Sequence, residues 1–318
     1  MILVYYLFVI NIITFALFGI DKSKAKRNKW RIPESTLLLF VFLGGEIGGF
    51  LGMKVFHHKT KKNKFRITVP VMLVIELILI VFCLYQNYHL VVSEYSFTSD
   101  KVTEELDGYQ IVHISDLHNQ FFGIKQKRLL SKIKKSNPDM IVVTGDMVDR
   151  NHTNYGLTLD FFEGAVGIAP VYYIAGNHEQ DLMNSSEYED YISKVKQLGV
   201  NCIDGRAVDV DGFSLIGLPF GMYNEPESDK ELKIALSHEP IFRGADITFA
   251  GHYHGGQIII PGKGGLISPG FVFFPEYYGG MYEKDGKTLV VSRGLGNSLA
   301  PVRINNYPEV VVVRFKHK

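Results

Sequence analysis

Seven side chains able to bind a cation recur along the second two-thirds of the chain, each just after a short apolar run. YQIVHIS (109–115) runs into Asp116, Leu117 and His118; MIVVT (140–144) runs into Gly145 and Asp146, with Asp149 three residues on. VYYIA (171–175) leads to Gly176, Asn177, His178 and Glu179, IALS to His238, and ITFAG to His252 and His254. The set Asp116, His118, Asp146, Asn177, His238, His252 and His254 offers nitrogen and oxygen donors only, which suit Mn, Fe, Zn or Mg. A carboxylate can bridge two ions, so two divalent metals are the natural load. Asp-x-His and His-x-His spacings serve one centre from a strand end, because side chains i and i+2 leave the same face. One such fragment is weak; the weight lies in the ordered set, each member at the end of an apolar run.

The elements that must hold these groups follow. The apolar runs read as strands and residues 125–136 and 157–168 as helices, an α/β or α+β pattern. In open α/β sheets reactive groups gather beyond the carboxyl ends of the strands, where all these residues fall. His113, inside a run, is expected to be a hydrogen-bonded core residue, and His57, His58 and His152 to be solvated. GLGNSL (294–299) lacks the third glycine and the βαβ frame of a dinucleotide fingerprint. The chain has no GxxxxGK[ST] or GxSxG motif, so P-loop nucleotide binding and serine hydrolysis find no support.

With 318 residues the chain is long for one domain, and 46% hydrophobic with 21% charged residues excludes a disordered or collagen-like chain. Two cysteines, Cys83 and Cys202, exclude a disulfide framework and a cysteine zinc module. The net charge of +1 conceals two opposite parts. Residues 1–90 hold 12 Lys and Arg against 4 Asp and Glu, and residues 91–318 hold 22 against 29. The expected domains are therefore a membrane region, 1–90, and an acidic enzyme, 91–318. An acidic catalytic part is a poor partner for nucleic acid, which demands clustered cations.

Residues 1–20 are uncharged and long enough to span a bilayer. They read as an uncleaved anchor, having neither the basic start nor the cleavage site of a signal peptide. Residues 68–86 form a second span interrupted by Glu76, and 35–53 are apolar but carry Glu46 and two glycine pairs. Six Lys or Arg lie in each of the flanking loops, 21–31 and 54–66. If 35–53 is a re-entrant hairpin, both loops stay cytoplasmic and everything after residue 86 reaches the outer face; a spanning helix, the simpler reading of the apolar run, puts one basic loop on the wrong side. For Glu46 and Glu76 a functional role and a helix-closing contact both stay open.

Two resemblances add to this reading. DKSKA, RIPE (31–34), LGGEIGG, LGM and HKTKK resemble the DUF1294 family of bacterial membrane proteins, which brings no activity with it. DLH, GDMVD, GNHE, SHEP and GHYHGG resemble the calcineurin-like metallophosphoesterases over about residues 108–315. HGGQIIIPGKGG, FFPEYYGGMY, SRGLGNS, PVRINNYPE and VVVVRF are similar to their membrane-associated YaeI- and YkuE-type branch, with Glu179 where many relatives of the wider superfamily have Asp. The resemblance implies a β-sandwich flanked by helices in four αββα layers. It implies Asp116, His118 and His254 on one metal, Asn177, His238 and His252 on the other, Asp146 between them, and a bridging hydroxide attacking phosphorus. His178 is then catalytic, with Asp149 orienting its ring.

The expected function is a membrane-anchored phosphodiesterase or phosphatase acting on a lipid-linked or envelope phosphoester, a UDP-diacylglucosamine-type pyrophosphate being one candidate. Phe121, Phe122, Phe273, Phe274, Tyr277 and Tyr278 are candidates to line an acyl entrance, ordinary packing being the equal alternative. The alternatives from other classes are a membrane interaction or transport-like protein with a regulatory metal domain, and a phosphoprotein phosphatase.

Overall fold

A computed structural model describes residues 2–210, 212–297 and 302–318. Residues 298–301, where GLGNSL and SRGLGNS end and PVRINNYPE begins, lie outside the described residues. The chain divides into two units, Met1–Leu84 and Tyr85–Lys318.

The first unit is built from α1 (Ile2–Lys26), α2 (Glu34–Phe40), α3 (Glu46–Val55) and most of α4 (Asn63–Tyr88). By length and composition Tyr5–Lys26, Glu34–Val55 and Asn63–Tyr88 are each able to cross a membrane. The middle stretch nevertheless turns back on itself. Gly44, at φ 96°, breaks the helix where α2 gives way to α3. Its two ends meet: Lys59, beyond α3, bonds Glu34 at the start of α2 at 2.7 Å. Each leg of about ten residues extends roughly 15 Å, half of a hydrocarbon core of about 30 Å. α3 therefore runs parallel to α1. Asn11 meets Gly44 and Gly48, and Lys22 reaches the carbonyl of His57. Apolarity and length favour a straight span, but the glycines permit another packing. A Cβ on Gly48 would strike the Asn11 carbonyl, and one on Gly52 would press on Phe18, so the small residues let the two helices touch. The Asn11 amide donates to Gly44 O and accepts from Gly48 N, each at 2.8 Å or less, which satisfies backbone freed by the reversal.

His58 departs from expectation. It is buried, with Nε2 2.7 Å from Asp21, because Asp21 is itself sealed between helices and needs donors.

The second unit opens with β1 (Val91–Ser99), β2 (Gln110–Ile114), α5 (Lys127–Lys135), β3 (Met140–Val143), α6 (Tyr155–Val166) and β4 (Val171–Tyr173). α7 (Asn177–Leu182), α8 (Ser186–Gln197), β5 (Asn201–Cys202), β6 (Ala207–Val210), β7 (Phe213–Leu218), β8 (Lys233–Ser237) and β9 (Ile247–Ala250) follow. Four two-residue strands come next, β10 (Ile259–Ile260), β11 (Gly264–Gly265), β12 (Ile267–Ser268) and β13 (Val272–Phe273). β14 (Gly280–Lys284), β15 (Lys287–Val291) and β16 (Glu309–His317) complete the unit. Two six-stranded mixed sheets form, ordered β1-β16-β2-β3-β4-β5 and β14-β15-β9-β8-β7-β6.

Alternation along the strands sorts the core into layers. Ile111, Met140, Val142, Val311 and Val313 face Leu215, Ile234, Leu236, Phe249 and Val290 between the sheets. Val112, Ile114, Ile141 and Val143 turn the other way, onto Leu129, Ile133, Phe161 and Val195 of α5, α6 and α8. The expected fourth layer differs. Among the described residues no α-helix follows α8, and the outer face of the second sheet carries only small clusters closed by Met222, Phe242 and Tyr277 from loops. Those short stretches are rich in glycine and proline, which suits turns and disfavours helix.

Candidate metal centre

β2, β3 and β4 are parallel neighbours, and so are β8 and β9. Their carboxyl ends therefore share an edge within each sheet. Asp116, Asp146 and Asn177 follow the strands of the first sheet, and His238, His252 and His254 those of the second. The loops are tightly wound: Asp116, His118, Asp146, His252 and His254 all hold left-handed backbone, with φ between 43° and 70°. Such strain persists where surrounding contacts enforce it. The glycines of the motifs permit those contacts. Gly145, at φ 89°, lies against the backbone of Gly176, and a Cβ on Gly251 would enter the space of Ser115 and Asp116.

Three groups result whose donor atoms all lie within 4.8 Å of one another: Asp116, His118 and His254; His118, Asp146 and His178; Asp146, His238 and His252. Asp146 stands between two of the imidazoles, its Oδ2 3.5 Å from His118 Nε2 and 3.4 Å from His238 Nε2. Asn177 Oδ1 is 3.0 Å from His238 Nε2. All seven expected donors thus meet at one place.

The donor set fits a metal. Both ring nitrogens of buried His118 and Nδ1 of buried His254 lack hydrogen-bond partners. Leaving buried polar atoms unpaired costs about 1–3 kcal/mol each, a cost that a bound cation removes. The Thr144 carbonyl accepts the Nδ1–H of His238 at 2.7 Å and so turns Nε2 to the donor set, as an outer partner of a metal-binding imidazole does. Burial opposes the charged ring, but Asp146 beside it raises the pKa to about 10, so a cation at Nε2 would replace a proton. Burial pushes His118 and His252 down to about 3, so both rings are neutral at pH 7. Asp146, buried too but beside His238 and His118, is held well below the usual carboxylate range.

His178 sits beside this cluster, its ring 4.5 Å from that of His118. Its Nδ1 accepts from the Arg150 N–H at 3.2 Å, which leaves the proton of the neutral ring on Nε2. Burial lowers its pKa, so the neutral form prevails near pH 7. Asp149 does not bond this ring. It lies 3.9 Å from both His178 Nδ1 and His118 Nδ1, because Oδ1 is taken by the N–H of Asn151 two residues on. A cleft of about 130 Å³ opens over Asp146, His178, His252 and His254, rimmed by Arg150, Asn151, Pro269 and Gly270.

Two further residues brace the centre. Glu179, fully buried, accepts from the N–H groups of Asp146, Met147, Val148 and Gly176 at 2.7–3.2 Å, joining the GDMVD and GNHE loops. Burial raises its pKa to about 7, against four N–H donors that favour the carboxylate. A Glu at the third position of α7, in reach of the preceding backbone, is the signal that identifies it. Arg303, also fully buried, donates to the carbonyls of Arg293 and Gly296. It fixes the GLG turn, whose Gly296 N–H bonds Asp116 O at 2.7 Å.

Of the other singled-out residues, His113 is buried and bonds Thr144, and His152 is exposed. Phe122 belongs to the core beneath α5, so it is no entrance residue. Phe121, Phe273 and Phe274 are exposed. Tyr277 packs on Phe242 and Tyr282, and Tyr278 lies against Gly264.

Comparison with known proteins agrees with this geometry. Residues 109–260 match the calcineurin-like phosphoesterase family, and residues 11–65 match DUF1294, a family of unknown function. The uncharacterized metallophosphoesterase YkuE of Bacillus subtilis is 28% identical over 249 residues, 70% of this chain and 85% of that protein. The uncharacterized protein YsdA of the same organism is 50% identical over 80 residues, 25% of this chain and 90% of its own length. Phosphodiesterase YaeI of Escherichia coli is 26% identical over 234 residues, 64% of this chain and 81% of YaeI.

Proposed function

The chain belongs to the calcineurin-like phosphoesterases, metal-dependent phosphoric ester hydrolases, with a DUF1294 domain ahead of the catalytic one, and from that premise we propose a membrane-anchored, binuclear phosphodiesterase or phosphatase acting on a lipid-linked phosphoester. The two domains are divided near residue 90. One observation carries the reading: two donor groups flank a single carboxylate, Asp146, and in the first of them both ring nitrogens of buried His118 and Nδ1 of buried His254 have no hydrogen-bond partner. Asp116, His118 and His254 would hold one ion and Asn177, His238 and His252 the other, with Asp146 shared. Two divalent cations held there would polarise the phosphoryl oxygens and activate water at neutral pH.

The chain's own groups do the rest. Thr144 O and Glu179 fix the imidazole and the loops, so the donors need not reorganise when substrate arrives. His178 keeps its proton on Nε2 and delivers it to the departing oxygen, with the Arg150 amide rather than Asp149 setting the ring's orientation. The Arg150 guanidinium at the rim, paired with Asp181, offers its remaining N–H groups to a phosphate oxygen.

Two features favour a lipid-linked ester. Pro269 and Gly270 line the cleft, and the next four residues, Phe271 to Phe274, are 49–75% exposed, an apolar edge beside a polar site. The apolar helices of the first unit hold the enzyme where such substrates reside. The folded-back 34–55 stretch puts both basic loops at one end, which by the positive-inside rule is cytoplasmic and sends the catalytic unit to the outer face.

The test is hydrolysis by the purified full chain of p-nitrophenyl phosphate, bis-p-nitrophenyl phosphate and a lipid pyrophosphate, across Mn, Fe, Zn and Mg. Metal-dependent turnover lost in Asp146→Asn supports the reading; turnover equal in wild type and Asp146→Asn overturns it. Thiol labelling of a single cysteine introduced near residue 100 in intact cells tests the facing, and labelling only after lysis reverses it.

A further inference from the structure

The basic end of the first unit is a shaped cavity. It is a depression of about 460 Å³, open to solvent, lined by Lys22, Lys26, Arg31, Lys59, Lys61 and Lys62 among others. Two carboxylates reach three of these six cations. Asp21, fully buried, takes Arg31 at 2.9 Å, the Ile32 N–H at 3.0 Å and His58 at 2.7 Å, with Lys59 at 3.6 Å. Glu34 takes Lys59 at 2.7 Å and Lys62 at 2.5 Å. Lys22 reaches only the His57 carbonyl, at 3.1 Å. Four positive charges in excess therefore face one small volume, held there by a buried scaffold.

That scaffold is more than attraction to a charged surface requires. Lys59 has a side chain only 3% exposed, and His57 and Lys59 both hold left-handed backbone, φ 49° and 62°. A flexible polybasic loop would attract anionic lipid without burying a lysine or straining its backbone. Trp30, 90% exposed beside Arg31, has the character of an aromatic at headgroup depth. Converging ammonium and guanidinium groups suit a compact, multiply charged anion with several acceptor oxygens, which is a phosphate ester.

We propose that this cavity binds the phosphate of a phosphomonoester, presented by a lipid headgroup at the basic end of the helical hairpin. The site is separate from the phosphoesterase centre and independent of what that centre hydrolyses.

The test titrates the full-length protein, in neutral detergent with chelator present, with dihexanoyl phosphatidic acid, inorganic phosphate, dihexanoyl phosphatidylglycerol and dihexanoyl phosphatidylcholine. Calorimetry is expected to give one saturable site for phosphatidic acid, weakened at least tenfold in a Lys22→Gln, Lys26→Gln, Lys61→Gln variant. Among the described residues none of these three lysines holds an ion pair. The variant is expected to keep the wild-type thermal unfolding midpoint in detergent and to hydrolyse a soluble phosphodiester at the wild-type rate, which shows that both units are folded. Competition by inorganic phosphate at similar concentration identifies free phosphate as a sufficient ligand; its failure to compete assigns the site to the lipid headgroup. Equal binding of phosphatidylglycerol, an unchanged variant, or no saturation by either phosphate probe overturns the proposal.

Discussion

Buried polarity serves opposite ends in the two units. In the first, Asn11 spends its side chain on three backbone groups and Asp21 collects a guanidinium, an imidazole and an N–H, so both are closed within the protein. In the second, His118 is as deeply buried yet bonds nothing through its ring, and His254 leaves Nδ1 unpaired. Here the partnered groups hold a shape, whereas unpartnered ring nitrogens gathered beside Asp116 and Asp146 suit a cation. The same test explains why Glu179, with four N–H donors, reads as a brace although it lies within the motif set.

The sharpest way to break this contrast is at the shared carboxylate. Asp146→Asn is expected to lower metal-supported phosphoester turnover by about 10³-fold or more, and chelation of the wild type to do the same, as read by p-nitrophenol release. The opposite side is tested by Asn11→Leu, which orphans Gly44 O and Gly48 N. About 3 kcal/mol of stability is expected to be lost, measured by thermal unfolding in detergent, with phosphoester turnover unchanged at low temperature. Glu179→Gln places an amide NH₂ where backbone N–H groups converge. Metal affinity is expected to fall about 10- to 100-fold, measured by titration calorimetry, as for other groups that orient metal ligands.

The smallest effect concerns pH and lies outside the donor set. Burial holds His113 down at about 3, while an unfolded histidine titrates near 6.5. Above pH 6.5 neither state binds the proton; as pH falls below 6.5 the unfolded state gains it and the native state does not. Stability is therefore expected to decline between pH 6.5 and 3, by about 1 kcal/mol at pH 5.5, and His113→Phe to flatten that slope in urea titrations.

The meeting of the seven donors was legible because each follows an apolar strand, and strand ends converge wherever parallel strands are neighbours. What stayed illegible depends on pairs distant in sequence. The glycine pairs permit a hairpin at 35–53 without requiring one, and the choice against a straight span is made by the break at Gly44 and the bond of Lys59 to Glu34. Asp149 follows the motif, yet its own turn claims it through Asn151 N–H, a competition that spacing does not reveal. Arg303 looks like a surface residue in the chain and is buried by carbonyls from Arg293 and Gly296.

The order of the first sheet also sets a timetable. β16 lies between β1 and β2, parallel to one and antiparallel to the other. On the ribosome the DLH, GDMVD and GNHE loops emerge well before residues 309–317, so the strand that carries Asp116 waits for its outer neighbour. Until Val311 pairs with His113, β1 has no place in the sheet. The apolar helices are made first and the sheet closes last, so a ribosome that stops before Glu309 releases a chain with its first unit complete and its catalytic sheet open.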